Sequence, residues 1–403
     1  MKRLLESGMA SVAKPGHSTS APTFVLAVFV LSRLLFMGVG ALAVAILPRA
    51  IKLDLNLREA TGILNYWALW DGVWYSVIAT QGYLLGNLTA TAFFPVFPLT
   101  VRAGTALGGG PALWGVLISL AAAAFGMYFL YQIAEKLYGV KAARAAVLTF
   151  AFFPMAFFLN AVYTEAMFVA LTAGSFWAAY VRRNLLLAGF LGALAVATRN
   201  TGMLLLIPLV YEWLRHRQEF GWRGMLGLAL VPSGFAGYIT FLWIRFGDPL
   251  IFAHQQRTFG RVLTDPGTAL MTAWVRAGEG ARWLLDPAAL FLDPSFEPSL
   301  GVYNAASVGF LVLLILLVGA SFVLLPPGLA VYASLSSLVP ILTPPITAPL
   351  MGLPRFMLGT FPLFLVLGFI LSRSRPALYL WLLVSGGLGA AFTALFVTWR
   401  VML

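Results

Sequence analysis

Long apolar runs dominate the chain, and their lengths and charged flanks predict a series of membrane crossings. A bilayer core about 30 Å thick takes roughly 20 residues of helix. Residues 24–47 form the first such run. Lys2, Arg3 and Lys14 precede it, which predicts an uncleaved first helix with a cytoplasmic amino-terminal flank. Further runs at 112–134, 144–162, 164–181, 224–245, 301–325, 328–343, 355–372 and 376–399 predict one crossing each. Residues 185–214 begin and end beside basic residues, Arg182 and Arg183 before, Arg215 and Arg217 after, so they must cross an even number of times. The turn falls at 199–202, and each arm of about 14 residues reaches about 21 Å, too short for a full crossing.

Residues 93–107 are apolar for only about 15 positions and carry Pro95, Pro98 and Arg102. They predict an interfacial or re-entrant helix; a crossing there would put Lys136, Lys141 and Arg144 outside, against the positive-inside bias. The expected fold is an all-α polytopic membrane protein of about 11 membrane segments. It forms a single domain over 1–403, with a cytoplasmic tail at 1–23, a first external loop at 48–111 carrying interfacial helices, and a long external loop at 246–300.

Composition agrees with lipid as the main solvent: 61% of the residues are hydrophobic and 10% charged. A net charge of +12 would suggest nucleic acid in a soluble chain, but the basic residues follow the cytoplasmic flanks, so no nucleic-acid partner is expected. Only Glu6, Glu135, Glu212 and Glu219 of the 14 carboxylates fall inside; the rest gather on the external face. Cysteine is absent, which removes disulfides, thiolate metal sites and cysteine nucleophiles. His17, His216 and His254 lie far apart, so no zinc site is expected. The excess of Arg over Lys and the abundance of Ala, Leu and Gly favour a bacterial plasma membrane, or the endoplasmic reticulum if the source is eukaryotic.

The polar residues that interrupt the apolar runs are the candidates for chemistry. Asp71 sits among Trp70, Trp74 and Tyr75; it reads either as a solvated loop acid or as a poorly solvated carboxylate suited to proton transfer. Trp70, Tyr75 and Tyr163 read either as an interfacial aromatic belt or as substrate-binding rings. Glu165 lies where one apolar run ends and the next starts, so it marks a site or pairs with an arginine such as Arg199. Arg199 and Asn200, at the tip of the short-armed hairpin, offer a cation and an amide to an anionic or hydroxylated ligand, unless Arg199 snorkels. His254, Arg257, Arg261 and Arg355 are external groups that either bind a phosphate or are simply solvated.

Four segments occur in an order that resembles the PIG-V family of mannosyltransferases, in the GT-C class: Trp70-Asp71, Phe93-Phe94-Pro95-Val96-Phe97-Pro98-Leu99, Tyr163-Thr164-Glu165-Ala166-Met167-Phe168 and Arg199-Asn200-Thr201-Gly202. The resemblance extends to about residue 260 and implies a GT-C-type transmembrane helical bundle. It implies mannosyl transfer from polyprenyl or dolichyl phosphate mannose to a lipid or glycan acceptor on the non-cytoplasmic face. Asp71 matches the catalytic acid position. The eukaryotic members add the second mannose of the GPI anchor through an α1,6 bond; bacteria lack that anchor, so the acceptor does not carry over. In an inverting transfer of this kind Asp71 would be the base, Glu165 would orient hydroxyls, and Arg199 or a later arginine would neutralise the departing phosphate. No nucleotide diphosphate leaves, so no cofactor is required, with a divalent ion on the carboxylate pair as the lesser option. A transporter or flippase of a lipid-linked sugar is the alternative, but it predicts charges along a path through the membrane rather than acids on one face.

Overall fold

The computed structural model describes residues 20–49, 62–293, 295, 300–346 and 348–400. Residues 1–19 of the expected tail and 50–61 of the first external loop lie outside the described residues. In chain order the helices are α1 (Ala21–Ile46), α2 (Asp71–Gln81), α3 (Val96–Thr105), α4 (Pro111–Tyr138), α5 (Val140–Ala151) and α6 (Glu165–Phe176). Next come α7 (Leu185–Val196), α8 (Leu206–Arg215), α9 (Arg217–Phe246), α10 (Ile251–Gln256), α11 (Pro266–Leu284) and α12 (Pro287–Leu292). The last are α13 (Leu300–Leu324), α14 (Pro327–Leu342), α15 (Leu353–Gly359), α16 (Pro362–Leu371) and α17 (Arg375–Val397). No strand occurs among the described residues beyond one isolated antiparallel bridge, Arg261 to Pro345. Eight helices carry proline at their first or second position, where the missing N–H costs nothing and the fixed φ suits the first turn.

Among the described residues, α1, α4, α9, α13 and α17 are long and apolar enough to cross a membrane. Leu31, Leu34, Ile244, Val323 and Leu383 stand exposed on their outer faces, as lipid-facing side chains do and water-facing ones in such numbers do not. The chain is therefore an all-helical, multi-pass membrane protein.

Three expected elements differ. The run at 144–162 is not one helix: α5 stops at Ala151, because Pro154 lacks an N–H and biases Phe153 away from helix. A 3₁₀ turn, Ala156–Leu159, and irregular backbone follow up to Thr164. The run at 355–372 is a bent pair, α15 and α16, turning by 85° at Thr360-Phe361 ahead of Pro362. The segment 246–300 is not a loop but holds α10, α11 and α12, with α11 packed along α13 through Ala269, Ala273, Ala277 and Gly280.

The short-armed hairpin is present as α7, a 3₁₀ stretch Asn200–Leu205 and α8. Arm α7 lies directly on α9. A side-chain carbon on Gly189 would fall inside the Gly227 carbonyl, and one on Gly227 inside the Leu185 carbonyl, so the two backbones touch.

Candidate functional site

The polar groups of interest come from helix ends on one side of the bundle. Asp71 and Glu165 are the first residues of α2 and α6, where the helix dipole favours a carboxylate. Arg199 caps the 3₁₀ turn after α7, Arg355 lies in the first turn of α15, and Arg257 and Arg261 follow α10. These ends surround a cavity of about 700 Å³, the size of a small-ligand site.

The charged groups form one connected cluster. Arg355 donates from Nη1 to Asp71 Oδ2 at 2.8 Å, and its Nε lies 3.1 Å from Glu165 Oε1. Arg199 donates to the same Glu165 oxygen at 2.5 Å. Glu165 is fully buried and does not reach the cavity wall; it sits behind the two arginines and fixes both. It pairs with Arg199, and that pair stands at the cavity, since Arg199 lines it. Asp71 does line the cavity, together with Arg199, Arg257, Arg261 and Arg355. The four paired groups balance, and Arg257 and Arg261 on the wall add two positive charges in excess of the two carboxylates.

Arg261 donates to Thr343 O at 3.0 Å and stacks over the Phe356 ring, which Arg199 also approaches. Burial, with Arg355 and Arg199 beside it, pushes Arg261 down to about 10. At neutral pH it is a cation held among cations, a setting that an incoming anion relieves.

The aromatic residues divide. Tyr75 lines the cavity, with its ring edge-on to Phe93 and Phe97 and its hydroxyl 3.4 Å from Thr164 Oγ1. Burial raises its phenol well above the ordinary range, aided by the Asp71 and Glu165 charges, so it is a neutral donor. Tyr163 is buried, and its hydroxyl is taken up by backbone: it donates to Leu69 O and accepts from Asp71 N, both at 3.1 Å. That bridge spans Trp70, whose φ of 56° lies where a bulky residue is strained. Trp70 packs against Trp399 rather than facing the cavity. Asn200 lines the cavity beside Thr198 and Thr201. His254 is not brought to the site: it is exposed and pairs with Asp248 at 2.9 Å.

Gln256, beside Arg257 in the sequence, also lines the cavity, whereas reading the sequence missed Phe259 and Phe356, which complete the wall. Neither stands in a motif, and only the packing of α10 and α15 around the cavity assigns them. Among the described residues no three His, Asp or Glu side chains gather as a metal site would require.

Fold and site together define an integral membrane protein whose buried acid–arginine cluster opens into a cavity at one end of a helical bundle. Residues 90–231 match the model of the dolichyl-phosphate-mannose-protein mannosyltransferase family, a stretch that contains Glu165 and Arg199 but not Asp71 or Arg355. No curated protein matches the chain. Among solved structures it is similar to ArnT from Cupriavidus metallidurans bound to undecaprenyl phosphate, at 15% identity and a TM-score of 0.48. The likeness covers 89% of this chain and 61% of that one, so the chain spans less than two thirds of the length of ArnT.

Proposed function

We propose that the chain is a membrane glycosyltransferase that moves a sugar from a polyprenyl or dolichyl phosphate carrier to a hydroxyl of a lipid or glycan acceptor. The observation that carries this reading is the charge balance around Asp71: one carboxylate on the wall of a 700 Å³ cavity, faced by four arginines. A sugar phosphodiester enters with one negative charge and leaves as a phosphate monoester with two, which the two excess cations would meet. The family match over residues 90–231 supports the same chemistry.

In this reading the acceptor oxygen attacks the anomeric carbon from the side opposite the phosphate. The new glycosidic bond forms, the bond from the anomeric carbon to the phosphate oxygen breaks, and the acceptor proton passes to Asp71. Arg355 holds Asp71 Oδ2 and leaves the other oxygen edge to meet the acceptor. Arg199, Arg257 and Arg261 stabilise the charge growing on the phosphate. Glu165 acts through the arginines it pins, which replaces direct contact with hydroxyls. The reaction requires no metal, and inversion follows from the single displacement. Mannose as the sugar, an α1,6 linkage and the non-cytoplasmic face follow from the resemblance of the four motifs and from the flanking charges.

The test is transfer of radiolabel from polyprenyl phosphate mannose into membrane lipid extracts by purified wild-type protein and Asp71→Asn. Label incorporated by the wild type, and reduced about 10³-fold or more in the variant, is the expected result. Equal incorporation by both would remove Asp71 as the base. No incorporation from carriers bearing mannose or any other hexose would overturn the transferase reading, and movement of the intact carrier across vesicles would then identify a flippase.

A further inference from the structure

Two tryptophans with left-handed backbone face each other beside the site. Trp70 has φ 56° and Trp399 φ 62°, and their rings lie 4.8 Å apart at 47°. Neither residue type adopts that conformation by local preference, so each is imposed by its surroundings. Trp70 turns the chain from the 3₁₀ stretch Ile63–Trp67 into α2, and its conformation decides where Asp71, the next residue, points. Tyr163 staples this turn from one side through Leu69 O and Asp71 N. Trp399 closes it from the other.

The next residue after Trp399 is Arg400. That arginine is 1% exposed, and its guanidinium donates to Pro48 O at 2.9 Å, Leu290 O at 3.2 Å and Asp293 O at 2.6 Å. Its own backbone N–H returns to Leu395 O at 2.9 Å. The residues after α17 are thereby tied to the end of α1 and to α12. Neither Trp399 nor Arg400 lines the cavity.

We infer that Trp399 and Arg400 are positioning residues: they hold Trp70 in its strained turn and so aim the Asp71 carboxylate at Arg355 and the cavity. The inference rests on the transferase reading for its consequence in catalysis, but its geometry can be tested without activity. Once the Trp399 ring is removed, Trp70 relaxes and Asp71 swings, while the arginines that would hold the donor phosphate stay in place. The loss falls on kcat and spares KM for the donor.

The chain has no cysteine, so a single introduced thiol reports its own position. Asp71→Cys and, as a control elsewhere on the cavity wall, Ala253→Cys are each combined with Trp399→Ala, Trp399→Phe and Arg400→Lys, and the rate of maleimide labelling is followed. Trp399→Ala is expected to change the rate at position 71 by at least about fivefold and leave position 253 unchanged, since labelling follows thiol access. Trp399→Phe keeps a ring and restores the wild-type rate. Arg400→Lys keeps the charge but cannot serve three carbonyls from one planar fork, and shifts position 71 in the same direction by less. In the native background, Trp399→Ala lowers kcat about 100-fold with little change in donor KM, as displacement of a reacting group does.

An unchanged rate at position 71, or equal changes at 71 and 253, overturns the inference whether or not the protein transfers sugar. If Trp399→Ala does not fold, the Arg400→Lys and Trp399→Phe pair decides by the same readout. A protein that shows the expected labelling but transfers nothing retains the positioning device and loses the transferase reading.

Discussion

Two arginines inside the bundle, Arg33 buried and Arg355 partly buried, put the same side chain to opposite uses. Arg33 lies in the middle of α1, 3% exposed, and its donors end on oxygens of the last residue of α5 and of the irregular stretch after it: Ala151 O at 2.9 Å, Ala156 O at 2.6 Å and Asn160 Oδ1 at 2.9 Å. Arg355 lies in a bent helix pair, and its donors face the carboxylates of Asp71 and Glu165 beside a cavity. The first replaces hydrogen bonds that a helix broken before Pro154 cannot make for itself. The second leaves its partners able to act on a ligand. The depth of a cation in the bundle therefore says little about its role; the atoms its donors reach say much more.

Substitutions can sharpen or break that contrast. Arg355→Met takes from Asp71 its ion-pair partner while Glu165 keeps Arg199, and should lower transfer about 10³-fold in the radiolabel assay. Retention of more than a tenth of wild-type transfer would place Arg355 with Arg33 as scaffolding. Arg33→Met is expected to lower stability by about 2–4 kcal/mol, seen as earlier thermal unfolding in detergent, because three acceptors lose their donor. Donor KM in the surviving folded fraction should stay at the wild-type value. Arg261→Gln removes one facing cation and should raise donor KM about tenfold, with kcat changed less, in steady-state kinetics. Smallest of all, His254→Gln should leave both constants within about twofold, as expected of a surface change away from the cavity.

The sequence makes the site's parts visible but not their connections. Asp71, Glu165, Arg199 and Arg355 each stand out as charges interrupting apolar runs, and all four meet in one cluster. That Arg355 would choose Asp71, 284 positions away, has no signal in local pattern, because pairing across the bundle depends on how α2, α6 and α15 converge. The break after Ala151 was signalled by Pro154, yet the apolar residues on both sides of it make a continuous hydropathy window. Helix α11 was hidden for a different reason. Arg276, Glu279 and Arg282 give it the polarity of a loop, and its buried stripe is of alanine and glycine, which close packing uses and hydropathy barely registers. Trp399 and Arg400 also escaped notice, since backbone sign and carbonyl partners leave no trace in residue type.

The contact between α7 and α9 has a mechanical corollary. With Gly189 and Gly227 in backbone contact, neither α7 nor the part of α9 that follows its kink at Gly221 can slide or tilt without the other, so the hairpin tip at Arg199 moves only together with that stretch of α9. That side of the cavity is its stiff jaw. Any widening of the cavity falls instead to the wall at residues 257–263, where Leu263 projects outward at 82% exposure and the chain is tied to residues 342–346 by Thr264 N to Leu342 O, Ile346 N to Gly260 O and the Arg261 guanidinium on Thr343 O.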